Sequence, residues 1–127
     1  MKDGTIDHIG IATSSLDESQ QLWTILGFTQ GDDQINSEQG VKIRFMQGNA
    51  STRIELLEPL GDDTPVGKFM SKNGPGVQQI AVRVADIEET ISSLLIAGVK
   101  MVSEEPTLGA DGHRIAFVHP SSAGGVL

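Results

Sequence analysis

The sequence predicts an α+β fold of two tandem βαβββ modules. Their sheets are expected to join into a curved, half-open mixed sheet around a site. Three observations carry this. Short segments alternate apolar and polar residues with the period of half-buried strands. Two of those segments run into a helical stretch that opens on acids and closes on glycine. The order of segments then repeats at an offset of 71 residues. A chain of 127 residues is one domain's worth and can bury roughly two-thirds of its unfolded surface. Residues 1–127 are therefore expected to be one domain, with module one over about 5–60 and module two over about 76–127.

Thr5-Ile6-Asp7-His8-Ile9-Gly10-Ile11-Ala12 reads as a half-buried strand. Ser14 or Ser15 can cap the helix that follows, and Asp17 and Glu18 fall in its first turn, where the helix dipole favours anions. Leu16, Leu22, Trp23, Ile25 and Leu26 suit one helical face, and Gly27 supplies a left-handed stop. Phe28-Thr29 begins an extended piece, and Gly31-Asp32-Asp33 reads as a turn. Val41 to Phe45 alternates strictly between apolar and basic residues as a strand, and Gly48 to Ser51 turns the chain. Thr52 to Glu58 forms another strand, ended by Pro59.

The second half starts over. Gly76 to Val84 reads as a strand. Asp86, Glu88 and Glu89 open a helix carrying Ile87, Ile91, Leu94 and Leu95, and Gly98 ends it. Val99 to Val102 is extended, Arg114 to Val118 is a strand, and a last strand begins at Gly125-Val126-Leu127. In the offset alignment Ile9-Gly10-Ile11 falls on Ile80-Ala81-Val82, Gly27 on Gly98 and His8 on Gln79. Chance alternation of strands and helices is the competing explanation. The coincident glycine stops and acidic helix starts favour a true repeat.

Composition excludes several functions. The chain has no cysteine, which removes disulfide scaffolds, thiol nucleophiles and iron–sulfur sites. Nine basic against 17 acidic residues give a net charge of −8, so no basic footprint for nucleic acid is present. No apolar run approaches the ~20 residues of a spanning helix. Met1-Lys2-Asp3-Gly4 carries no apolar signal or Arg-rich transit segment, so a cytoplasmic location and no membrane partner are expected. Gly74-Pro75-Gly76 and Gly109-Ala110-Asp111-Gly112 are loops too short for a phosphate-binding P-loop.

Three strand residues could carry chemistry. His8 is an imidazole in a strand, either a functional donor or an ordinary packed or surface residue. Alternation places Glu55 on the face opposite Ile54 and Leu56, either the concave side or a solvated face. Gln79 offers an amide oxygen or is an ordinary strand polar residue. Together they supply one nitrogen and two oxygen donors. That set suits Mn²⁺, Co²⁺, Ni²⁺ or Mg²⁺ better than a closed structural zinc site. Three ligands leave open positions for a substrate carbonyl. Lys42, Arg44, Lys68, Lys72, Arg83 and Arg114 are candidate anion contacts.

The motifs Ile6-Asp7-His8-Ile9-Gly10-Ile11-Ala12, Glu38-Gln39-Gly40-Val41, Ile54-Glu55-Leu56-Leu57-Glu58-Pro59-Leu60-Gly61, Glu104-Glu105-Pro106 and His119-Pro120 with Gly124-Gly125-Val126-Leu127 carry a resemblance. Through essentially its whole length the chain resembles the methylmalonyl-CoA epimerases, a family of the vicinal oxygen chelate (glyoxalase-like) superfamily. The resemblance implies a glyoxalase/bleomycin-resistance-like fold. It also implies a 1,1-proton transfer on a CoA thioester, at the carbon between thioester and carboxylate. A divalent ion (Co, Mn, Ni, Mg or Zn) would chelate the substrate oxygens and stabilise an enolate-like charge. The family's ligand positions match His8, Glu55 and Gln79, plus a final-strand Glu that would fall shortly beyond Leu127 and also serve as base.

The chain departs from the family pattern in three places. Gln79 stands where the family has His, Ser121 stands where it often has Lys, and Lys42-Ile43-Arg44 lacks the acid some members carry. The opposite-face acid or base is therefore open, and Glu55 is the catalytic candidate. A homodimer is expected. Two alternatives remain: a glyoxalase-type lyase or isomerase, and a metal-free binding protein on the same scaffold.

Overall fold

A computed structural model describes residues 4–109 and 112–127. Ala110 and Asp111 of the expected loop, and Met1 to Asp3 of the N-terminus, lie outside the described residues. Among the described residues the contacts divide the chain into two units, Ile6–Ala81 and Val82–Leu127 with Gly4 and Thr5.

The first unit is built on a five-stranded sheet. Its strands are β1 (Thr5–Ala12), β2 (Thr29–Asn36), β3 (Val41–Gln47), β4 (Arg53–Pro59) and β5 (Gly76–Arg83), in the order β2-β3-β4-β1-β5. β1 runs parallel to β4, while β2/β3 and β3/β4 are antiparallel, so the sheet is mixed. α1 (Leu16–Ile25) links β1 to β2, and α2 (Pro65–Asn73) links β4 to β5.

The α1 cap is the one the sequence offers. Ser15 Oγ accepts from Glu18 N–H at 3.2 Å, and Glu58 Oε2 accepts from Leu16 N–H at 3.1 Å. Gly27 follows the helix at φ +100°, a conformation L side chains rarely adopt.

Alternation along the strands splits the core between the two faces. Leu16, Met46, Ile54 and Leu56 pack with Ile9, Ile11, Trp23 and Phe28 on the α1 face. Ala12, Val41, Ile43, Leu57 and Val66 pack with Phe45, Phe69 and Met70 on the other, where α2 covers one end. Met46 and Leu56 are wholly buried, each stabilising the fold by about 1.5–3 kcal/mol. By the same alternation His8, Gly10, Arg53 and Glu55 fall on the α2 face, beyond the part the helix covers.

Two features of this unit differ from expectation. Gly31-Asp32-Asp33, read as a turn, lies inside β2. The pairing with β3 shifts between Gln30 and Asp33, so a bulge absorbs the turn-like residues and the strand continues. α2 was not anticipated, although Thr64 caps it by accepting from Gly67 N–H at 3.0 Å and Pro65 stands at its start.

The second unit contains α3 (Ile87–Ile96), capped by Asp86 accepting from Glu89 N–H at 3.0 Å. β6 (Thr107–Leu108) pairs antiparallel with β7 (Arg114–Ile115). The expected strands here are shortened. Val99 to Val102 contributes a single bridge, Met101 to Val118, and Arg114 to Val118 pairs over only two residues plus that bridge. Gly125 to Leu127 forms no strand, because Gly124 at φ +69° and Gly125 at φ +94° turn the chain. Among the described residues no helix is long and apolar enough to cross a membrane.

Candidate functional site

The sheet order brings the three candidate residues together, because β1 lies between β4 and β5. The β1/β4 register pairs Ile9 with Ile54 and Gly10 with Glu55. His8 therefore stands beside the start of β4, with Glu55 on its own face. Gln79 reaches it from β5.

The geometry is a row centred on the imidazole. His8 Nδ1 lies 3.0 Å from Glu55 Oε2 and 2.8 Å from Asp7 Oδ2. His8 Nε2 lies 3.4 Å from the Gln79 amide nitrogen. A half-turn of that amide presents its oxygen to the same place. The two residues matched by the 71-residue repeat are thus in contact across β1 and β5. Gly10 makes the room: a Cβ there would stand 2.5 Å from Gln79 Cγ.

Two residues not singled out from the sequence complete the cluster. Arg53 Nη2 donates to Asp7 Oδ2 at 2.8 Å and lies 3.6 Å from Glu55 Oε2. Its guanidinium also sits 5.0 Å above the Phe45 ring centroid. Arg53 is two residues before Glu55 on β4, so alternation alone would have put both on one face. Asp7 had no such signal. A strand neighbour of His8 is expected to point away, yet its carboxylate bends back to the ring.

Glu55 is 6% exposed, so its charge needs a partner, and His8 and Arg53 supply one. Burial opposes protonation of His8. The hydrogen bonds and charges of Glu55 and Asp7 outweigh it, and the imidazole titrates above its ordinary value. A cation at His8 competes with protonation of the ring.

The donors suit a divalent cation in kind: one imidazole, one carboxylate and one amide. Asp7, His8 and Glu55 are in contact, but among the described residues no three His, Asp, Glu or Cys side chains are arranged to hold a metal ion, and the Gln79 amide stands beside them as a further donor. Glu55 lies on the Nδ1 side of the ring and Gln79 on the Nε2 side. One ion meets all three only when Glu55 leaves Nδ1.

The basic residues are mostly committed elsewhere. Arg44 is 8% exposed and sits on the opposite, α1 face. It donates from Nε and Nη2 to Asp33 at 2.8 and 2.9 Å, and from Nη1 to Asp17 at 2.7 Å and Gln20 at 2.8 Å. This fork ties α1 to β2 and β3. Its hydrogen bonds to Asp33 hold that carboxyl below the usual carboxylate range. A shallow groove of about 610 Å³, lined by Asp17, Gln20, Gln30 and Arg44 among others, runs along α1 on this face, away from His8. Lys42 lies 3.9 Å from Asp33, and Lys68 lies 3.7 Å from Asp63. Lys72 is exposed near the end of α2. In the second unit Arg114 pairs with Glu88 at 2.7 Å, and Arg83 is engaged as well. There His119 Nδ1 accepts from Ser121 N–H at 3.0 Å, so Ser121 serves the turn that follows.

Comparison with known proteins gives a consistent picture. A sequence profile of the Glyoxalase/Bleomycin resistance protein/Dioxygenase superfamily matches residues 7–117. The mitochondrial methylmalonyl-CoA epimerase of Dictyostelium discoideum is 36% identical over 126 residues, covering 98% of this chain and 75% of that protein. A hypothetical protein of Bacillus halodurans C-125, of known crystal structure, is 40% identical with a TM-score of 0.93, covering 98% of this chain and 91% of that one. A methylmalonyl-CoA epimerase solved in complex with methylmalonyl-CoA and NH4+ is 37% identical with a TM-score of 0.88, covering 95% of this chain and 88% of that one.

Proposed function

The chain belongs to the glyoxalase/bleomycin resistance protein/dioxygenase superfamily, and on that footing we propose that it epimerises methylmalonyl-CoA by a 1,1-proton transfer. One observation carries the reading. A buried carboxylate, an imidazole and an amide converge from three adjacent strands in a chain similar throughout to methylmalonyl-CoA epimerases. His8, Glu55 and Gln79 would hold a divalent ion (Co, Mn, Ni, Mg or Zn). When bound, such an ion supplies Lewis-acid stabilisation of the charge that develops on the substrate oxygens.

The chain's own residues do the rest. Glu55 accepts the proton from the carbon between thioester and carboxylate. The C–H electron pair passes into the thioester carbonyl, giving an enolate-like charge. Water then delivers a proton to the other face of that carbon while Glu55 gives its own proton back to the solvent, which completes the inversion and restores the base. Arg53, over Phe45 and beside Glu55, keeps the carboxylate oriented on the α2 face. His8 donates from Nδ1 to Glu55 until a ligand draws the carboxylate away. Gly10 leaves the space in which Gln79 approaches. The proposal takes the catalyst to be a homodimer in the cytoplasm. Ile25 and Leu26, 84% and 60% exposed at the end of α1, are apolar surface in keeping with a second copy, which sedimentation checks.

The test is deuterium uptake at the α-carbon of methylmalonyl-CoA in D₂O, with metal-stripped and Co²⁺-reloaded protein. The proposal expects uptake that depends on the ion. No exchange with any divalent ion would overturn it. Isomerisation of a glutathione hemithioacetal in its place would point to the glyoxalase-type alternative. Binding of the thioester without exchange would point to a binding protein, the reading that the amide at position 79 favours.

A further inference from the structure

The His8 ring is contacted by two carboxylates on one nitrogen and by a neutral amide on the other. Both carboxylates lie within hydrogen-bonding distance of the same Nδ1, but they are held differently. Glu55 comes from β4, and the reading above requires it to move toward the ion. Asp7 adjoins His8 in the chain and is fixed from behind by Arg53 Nη2 at 2.8 Å. Arg53 is held in turn over Phe45, and it stands 0.8 Å farther from Glu55 than from Asp7. The guanidinium therefore anchors Asp7 first.

We infer that Asp7, anchored by Arg53, is the positioning residue that keeps the proton on His8 Nδ1 and so leaves the Nε2 lone pair on the Gln79 side. This rests on the reading that His8 is a ligand. A neutral imidazole carries one proton on one of two nitrogens, and the hydrogen bond at one nitrogen decides which nitrogen is free to bind. Without Asp7, the departure of Glu55 would strand Nδ1–H, and the ring would be free to swap its proton or turn. With Asp7, Glu55 can leave and the ring stays set. A carboxylate behind the ring also makes the imidazole a stronger donor, which matters where the neighbouring donor is a neutral amide. No residue outside Ile6–Ala81 is needed for the device.

The tautomer is read directly by long-range ¹H–¹⁵N correlation of the metal-free chain at alkaline pH. Wild type and Glu55→Ala are both expected to keep the proton on Nδ1. Asp7→Ala is expected to lose that single tautomer. Titration of the same proteins with Zn²⁺ should shift the Nε2 resonance, and Asp7→Ala should weaken Zn²⁺ binding by roughly 10- to 100-fold. Asp7→Asn, which keeps shape and a weaker acceptor, covers the case in which alanine unfolds the chain. It should lower the Nδ1–H population with unchanged far-UV circular dichroism. The inference is overturned if Glu55→Ala moves the proton while both Asp7 variants leave it in place, or if Zn²⁺ shifts Nδ1. If wild type binds no divalent ion yet its tautomer still follows Asp7, the ligand reading fails and the orienting role of Asp7 stands.

Discussion

Substituting alanine at Gly10 adds a single methyl group in the space where Gln79 lies against β1. An ideal Cβ there stands 2.5 Å from Gln79 Cγ, 3.0 Å from Nε2 and 3.1 Å from Cδ. Non-bonded carbon atoms rest about 3.5–4.0 Å apart, so Cγ has to retreat by about 1 Å or more. Cγ is near the root of the side chain, and a shift of that size there forces a different rotamer. Overpacking of this kind costs about 1–3 kcal/mol. For a chain of this length that corresponds to a fall in Tm of roughly 3–12 °C. The amide is also carried away from His8 Nε2, so Co²⁺ affinity should drop at least roughly tenfold. Calorimetric melting and Co²⁺ titration on the same samples measure both effects. A variant that melts within about 1 °C of wild type, against that range, and binds Co²⁺ equally well would refute the placement of Gln79 against Gly10. A lowered Tm with unchanged Co²⁺ binding would reduce Gln79 to a packing residue.

Other perturbations address the opposite face of the sheet. Arg44→Ala removes the fork that joins α1 to β2 and β3. Because Asp17 is well exposed and Asp33 partly so, the cost should lie near 2 kcal/mol in urea unfolding, between that of a surface pair and a buried one. The Asp33 carboxyl is held below its ordinary value of 3.8, chiefly by the Arg44 hydrogen bonds. Its folded-state pKa is depressed, so its contribution is complete above that value and is lost as pH falls through the lower, folded one. Wild type should therefore lose stability more steeply below about pH 4 than Asp33→Asn does. Parallel acid limbs in urea titrations of the two would show that the pair contributes nothing.

Much of the fold was legible where local and tertiary signals agree. Ser15 followed by Glu18, and Asp86 followed by Glu89, mark helix starts that the structure caps with those side chains. Val41 to Phe45 alternates strictly, and Arg53 to Leu56 alternates until Leu56-Leu57, where the sheet is packed on both faces. Gly31-Asp32-Asp33 misled because turn chemistry is local, whereas pairing with β3 and the Arg44 fork on Asp33 are tertiary. α2 hid because nine residues with only Val66, Phe69 and Met70 against the core give too short a periodic signal.

At the site, alternation singles out Glu55 and would have added Arg53. No periodicity shows Asp7 bending back to its own neighbour. The repeat was the strongest clue. It matches His8 with Gln79, and the sheet order sets the two side by side.

Glu55 moves the proton in the proposed epimerisation. This role is tested most directly by the rate of α-deuterium uptake into methylmalonyl-CoA in D₂O for Co²⁺-loaded wild type and Glu55→Gln, with thioester binding measured alongside. The amide cannot accept the proton, so uptake should fall by about 10²–10⁴-fold, while the thioester still binds. Uptake at the wild-type rate in Glu55→Gln would contradict the account and move the proton transfer to another residue.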